Sequence, residues 1–362
     1  MVLRHTLQHL APTASAVASD APSRVDLSSF YDAVGQGTPG PDEDEVHGVA
    51  LPATVCAAPF TGGFGRTVPL TPAEIEAFKI HGFIVKRGIL PLDKVKTALD
   101  KVWDHLEGAP IPGVPAALQL PPSGVLRTDK ASWMDAHRRW PAPDFLDSTP
   151  VPGSHASTTW GAAAALRGTE YEAPAGNAQR APSSRSNSAP NWQICSLGTA
   201  PWLVDLLPND PSVQAIATQL LGPNLRPISR VRGVYCVFPS SDSPKALAPH
   251  TDRICQQLNV ATYLDDVAPG NAAFTVWPGS HAIVSKGHVD QANWHPTLAF
   301  RPLLRQVRST IRPVELPATK GDVIFWHGRL VHTVGRHSGD TVRIACFCDF
   351  QVRISSRDCR SR

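Results

Sequence analysis

Apolar side chains recur at Val95, Leu99, Val102 and Leu106 in LDKVKTALDKVWDHL, and spacings of four, three and four put them on one face of a helix from Leu92 to Leu106. Upstream, in LTPAEIEAFKIHG, Thr71 stands just before Pro72 and three residues before Glu74, the arrangement of a capped helix start, and Gly82 supplies the stop. FIVKRGI, between these two helices, reads as a short strand. A further helical pattern, DPSVQAIATQLLG, opens on Asp210 as cap and ends at Gly222. Beyond it the period changes to that of strands. RVRGVYCVF, QLNVATYL, AAFTVWP, IRPVELP, DVIFW and VRIACFCDF are short, rich in β-branched and aromatic residues, and separated by turn clusters with no helices between them. Such a series indicates an antiparallel sandwich or barrel, best matched by a jelly roll, so the fold class is mainly β with flanking helices.

Elsewhere the pattern fades. Residues 1–68 are rich in Ala, Ser, Pro and Gly without a sustained period and are expected to be a disordered segment outside the fold. Its first stretch, MVLRHTLQHLAPTASAVAS, has no acidic residue before Asp20 and resembles a weak organelle-import segment, which gives a cytoplasmic or organellar expectation rather than a secreted one. From about 108 to 190, Pro, Ser, Ala and Gly surround Trp133, Trp140, Trp160 and several Arg, the composition of a long insertion that is either a lid or a disordered stretch. Residues 353–362 form a basic tail.

Composition narrows the function classes. At 362 residues the chain has room for one large decorated domain or two small ones. Its 34 basic and 31 acidic residues leave a net charge of +3, spread out apart from an acidic PDEDEV and the basic tail, so nothing asks for a nucleic-acid partner. No apolar run reaches the length of a membrane span. Seven Cys without a CxxC pair argue against a zinc ribbon or disulfide framework and suit a reducing compartment. Oligomeric state has no signature here.

The candidate chemistry begins at His250 and Asp252, a His-x-Asp in ALAPHTDRICQQLNV. The same tripeptide pattern recurs at His288 and Asp290, so it carries weight only through its setting. In extended chain, residues i and i+2 share a face, so both side chains of the first pair can enter one barrel mouth, and a β-branched alternating run follows them. The second pair leads instead to Asn293 and Pro296, which interrupt pairing, and reads as a solvated loop. A third ligand must come from another strand, and GDVIFWHGRLVHTV offers His327 and His332. Arg343 opens the last strand eleven residues after His332, a fixed cation able to grip a carboxylate with two hydrogen bonds. Two His and one carboxylate on one face of an ion form the ligand set of non-haem Fe(II) oxygenases.

With these residues in order, LTPAEIEAFKIHGFIVKRGIL, HTD, YLDDVAPGNAAFTVWPGSH and GDVIFWHGRLVHTVGRHSGDTVR together resemble the phytanoyl-CoA dioxygenase family of Fe(II)- and 2-oxoglutarate-dependent oxygenases. The resemblance spans residues 70–350 apart from the insertion, and it implies a double-stranded β-helix within an oxygenase domain at 69–352. It makes His250, Asp252 and His332 the iron ligands, and Arg343 the residue that binds the distal carboxylate of 2-oxoglutarate. Asn259, on a strand facing the mouth, is a further candidate for contact with the co-substrate. The implied reaction consumes O2 and 2-oxoglutarate, releases succinate and CO2, and hydroxylates a C–H bond of a small organic substrate. Asp252 argues against the related halogenases, which carry a small residue in place of the carboxylate. Val334 stands where relatives often have Ser or Thr. The other residues singled out have structural readings: His281 a turn-stabilising hydrogen-bonder, His327 a supporting residue, and Cys346 with Cys348 core residues on the strand face opposite Arg343. The alternative is a catalytically silent β-helix protein that binds a ligand or partner.

Overall fold

The computed structural model describes residues 68–109, 124–136, 191–241, 249–252, 258–287 and 299–352. The N-terminal segment, most of the expected insertion, the His288 and Asp290 pair and the basic tail lie outside the described residues.

Helix α1 (Pro72–His81) begins as the sequence predicts: Thr71 Oγ1 accepts from Glu74 N at 3.2 Å, and the Glu74 carboxylate accepts from Thr71 N at 2.7 Å. Gly82 ends it in the left-handed conformation, φ +80°, and the chain turns into strand β1 (Phe83–Lys86). Helix α2 (Leu92–Leu106) follows. After the gap come β2 (Asn191–Ile194), the short α3 (Pro201–Val204) and α4 (Pro211–Leu221), whose Asp210 cap accepts from the backbone N–H groups of Ser212 and Val213. Strands β3 (Gly233–Val237), β4 (Leu258–Tyr263) and β5 (Phe274–Val276) lead to helices α5 (Ser280–Val284) and α6 (Phe300–Thr310). The chain closes with β6 (Val314–Leu316), β7 (Val323–His327), β8 (His332–Val334) and β9 (Arg343–Phe350).

These strands form two antiparallel sheets, one in the order β1-β7-β4-β9-β3-β2 and one in the order β6-β5-β8. The period of two sorts each central strand between two apolar layers. Leu258 and Val260 of β4, Val323 and Phe325 of β7, and Ile344, Cys346, Cys348 and Phe350 of β9 meet the helices through Phe78, Val95, Val102, Ile216 and Leu220. Their neighbours Ala261, Tyr263, Ile324, Trp326, Ala345 and Phe347 face the small sheet and pack with Phe274, Val276, Val314 and Leu316. Two sheets enclosing a core, with helices over the outer face of the larger one, make the mainly β, double-stranded β-helix arrangement expected from the sequence. Cys346 and Cys348 are buried thiols on the helix side, as the alternation requires.

Three features depart from the sequence reading. Strands β2 and β8 were not among the expected strands, because four and three residues are too few to show a period. Helices α5 and α6 lie between strands where none were expected; Phe300, Leu303, Leu304 and Val307 of α6 pack on Trp277, Val284 and Val331. Part of the expected insertion, residues 124–136, is packed structure. Trp133 is buried, its indole N–H donates to Leu126 O at 2.8 Å, and its ring lies 5.7 Å from that of Trp103. Among the described residues no helix is long and apolar enough to cross a membrane.

Candidate metal centre and buried arginine

His250, Asp252 and His332 converge although 82 residues separate the first from the last. Their backbones meet in an isolated antiparallel bridge: His250 N donates to His332 O at 3.1 Å, and His332 N to His250 O at 2.9 Å. One ligand atom from each residue lies within 4.8 Å of the other two, close enough for a single ion to touch all three. His250 is half-buried while Asp252 and His332 are buried, so the group sits at the margin of the buried interior.

The hydrogen bonds around the group settle which atoms face inward. His332 Nδ1 is 2.8 Å from Leu330 O, and because a carbonyl can only accept, Nδ1 carries the proton and Nε2 keeps its lone pair. That Nε2 lies 3.7 Å from Asp252 Oδ1. Burial pushes the His332 pKa down to about 4, so the ring is neutral and able to ligate at ordinary pH. Burial also opposes ionisation of Asp252, but the Arg232 guanidinium, with help from His332 and His250, holds its carboxyl well below the usual carboxylate range. The other carboxylate oxygen, Oδ2, accepts from Arg232 Nη2 at 3.0 Å and from Asn259 Nδ2 at 2.8 Å. Arg232 in turn grips Asp349 with a fork, Nε to Oδ2 at 2.8 Å and Nη2 to Oδ1 at 2.6 Å. Asn259 thus faces the interior as expected, but its amide is turned to Asp252. Arg232 and Asp349 were not among the sequence candidates.

Deeper between the sheets, Arg343 is 1% exposed, and among the described residues no hydrogen-bond acceptor lies in good geometry at any of its three side-chain nitrogens. Its guanidinium rests over the faces of Tyr263 and Phe347, with ring centroids at 5.3 and 5.5 Å. Burial pulls its pKa down from the ordinary arginine value. A buried guanidinium without acceptors is costly to keep, and an anion is the partner that would satisfy it. Aromatic rings connect the two places: Phe347 meets Trp326, and Trp326 and Phe274 both meet His332. Val334 packs with Val237 and Ala272, leaving no hydroxyl at the position where relatives often have one.

The remaining histidines stand apart from the group. His281 Nε2 pairs with Lys79 O at 3.1 Å, and the ring lies 5.1 Å from that of His327, whose Nδ1 accepts from Arg329 N at 3.1 Å. Burial drives the His327 pKa well below its usual value. His281 therefore ties the α5 turn to α1, and His327 belongs to that joint.

The model of the phytanoyl-CoA dioxygenase (PhyH) family matches residues 209–345. No curated protein matches the chain. Among solved structures, AviO1 from Streptomyces viridochromogenes Tue57 is 17% identical with a TM-score of 0.42, over 80% of this chain and 98% of that one. EctD from S. alaskensis, solved with bound Fe, is 13% identical with a TM-score of 0.40, over 83% of this chain and 81% of that one. SnoK, a non-haem α-ketoglutarate-dependent carbocyclase from nogalamycin biosynthesis, is 16% identical with a TM-score of 0.38, over 82% of this chain and 93% of that one. The stretch that matches this family model, residues 209–345, holds His250, Asp252, His332 and Arg343.

Proposed function

We propose that this protein is an Fe(II)- and 2-oxoglutarate-dependent dioxygenase that hydroxylates a C–H bond of a small organic substrate. One oxygen atom of O2 would enter the alcohol and the other the succinate formed as 2-oxoglutarate loses CO2. The observation that carries this reading is a pair: two histidines and a carboxylate converge, and a buried guanidinium that lacks acceptors among the described residues stands between the same two sheets. A cation and a dicarboxylate together complement those charges. The oxygenase domain is read as residues 69–352.

In this reading His250, Asp252 and His332 hold the iron, which supplies the O2 and C–H chemistry when bound. The chain's own residues do the rest. His332 offers Nε2 because Leu330 O takes its other ring proton. Asp252 stays ionised beside Arg232, so no proton has to leave it before a metal binds. Arg343 takes the distal carboxylate of 2-oxoglutarate at its planar fork and so fixes how far the co-substrate enters. Phe274, Trp326 and Phe347 line the space with apolar surface that excludes water from it.

The experiment is succinate release from 2-oxoglutarate with Fe(II) under air, run against a panel of small organic substrates. Wild type should release succinate, and His250→Ala, Asp252→Ala and His332→Ala should each lower the rate at least a hundredfold. Metal binding by wild type without any succinate would favour a silent binding protein instead. Full activity in His332→Ala would sink the ligand assignment.

A further inference from the structure

Among the described residues, Asp252 is held at one oxygen only. Both of its hydrogen-bond donors, Arg232 Nη2 and Asn259 Nδ2, converge on Oδ2, while Oδ1 is left turned toward His332 Nε2. Two donors on one oxygen fix the carboxylate plane and present the other oxygen singly. Arg232 is itself fixed at both ends. Its backbone N–H donates to Phe347 O at 2.7 Å, and its guanidinium is forked onto Asp349, two residues further along β9. Asp349 is also a second carboxylate beside the metal group. Left unpaired it would compete for an ion, and the fork with Arg232 occupies both of its oxygens.

We propose that Arg232 is a positioning residue that holds Asp252 as a one-oxygen ligand, and that Asp349 aims it. The inference rests on the reading of Asp252 as a metal ligand given above. Geometry and charge make opposite predictions here, which makes the idea testable. A guanidinium beside a cation site repels the cation, so on charge alone its removal should tighten metal binding. If Arg232 acts by orienting Asp252, its removal should weaken binding, by the tenfold or more typical of partners that orient metal ligands.

The decisive variant is R232Q/D349N, which deletes the fork without changing the net charge and does not leave Asp349 as a carboxylate without its cation. Mn(II) affinity would be measured anaerobically by EPR titration, and the ligand field read from the visible absorption of the Co(II) form. The double variant should lose at least tenfold in Mn(II) affinity and show altered Co(II) bands, and R232K, which keeps the charge and loses the fork, should lose affinity in the same direction. Circular dichroism and Tm would establish that each is folded, and R232K carries the test where the double variant is not. Mn(II) affinities within twofold of wild type in a folded variant, or tighter binding in R232Q, would overturn the proposal. Failure of wild type itself to bind Mn(II) would be a different result, striking the metal centre as a whole.

Discussion

His105 is 1% exposed on α2, its Nε2 has no hydrogen-bond partner among the described residues, and burial pushes its pKa down to about 4. The unfolded chain takes up a proton near the ordinary value of 6.5, whereas the folded protein refuses it until about 4. In that window the unfolded state binds more protons, so stability falls as pH drops from 6.5, and the loss is complete below about 4. At roughly 1.4 kcal/mol per unit the penalty from this one residue is at most about 3.5 kcal/mol. Urea unfolding between about pH 4 and 7 should show a shallower loss of stability in His105→Gln, and an unchanged slope would mean the ring is not the titrating group. The site residues differ sharply in how legible they were. His250 and Asp252 share a face by the period of a strand, and Arg343 opens a strand by its β-branched neighbours. Arg232 carries no local signal, because its partners lie 20 and 117 residues away. Asp349 did leave a trace. On the inward face of β9 the alternation runs Arg343, Ala345, Phe347, Asp349, and a carboxylate at a half-buried alternate position calls for a cation to face it.

The joint between α1 and β1 shows how a single turn serves the whole sheet. Gly82 has φ +80°, its carbonyl accepts from His327 N at 2.8 Å, and a Cβ there would come within 2.5 Å of His281 Nδ1 and 2.9 Å of Leu330 Cδ1. Gly88 is also left-handed, φ +61°, but a Cβ there would meet nothing within 4 Å. Gly88→Ala should therefore cost only the conformational penalty, about 1 kcal/mol. Gly82→Ala adds a steric clash in a packed joint and should cost at least about 1 kcal/mol more. Equal losses in urea unfolding would mean that His281 and Leu330 move aside freely. At this scale the sequence was most legible where two signals agreed, as in α1, with capping residues and a terminal glycine. Helix α6 is harder to read although Phe300, Leu303, Leu304 and Val307 recur at helical spacing, because it lies between strand patterns and carries Pro302 in its first turn. Strand β8 holds a metal-ligand candidate yet is visible only through its partner: the pairing of Val276 with His332 makes it a strand, and three residues carry no period of their own.

The candidate centre joins the two sheets. His332 belongs to β8 of the small sheet, whereas Asp252 is held by Arg232, next to β3, and by Asn259 of β4 in the large one. An ion bound there binds the folded protein and not the unfolded chain, so at a hundred times its Kd it should add about 2.7 kcal/mol. For an ordered region of this size that is a rise in Tm of roughly 5–10 °C. Mn(II) under anaerobic conditions should produce the rise in wild type, and His332→Ala should abolish it. Arg343 separates metal from co-substrate in the same measurement. Its side chain is buried without acceptors among the described residues and contributes no ligand to the ion, so Arg343→Met should leave the apoprotein as stable as wild type or more so, because an apolar side chain replaces a buried charge. The Mn(II) shift should survive in this variant, while the further shift from adding 2-oxoglutarate to the Mn(II)-loaded protein should disappear. If the 2-oxoglutarate increment persists in Arg343→Met, the carboxylate is gripped elsewhere, and the stability given up to bury this guanidinium needs another explanation.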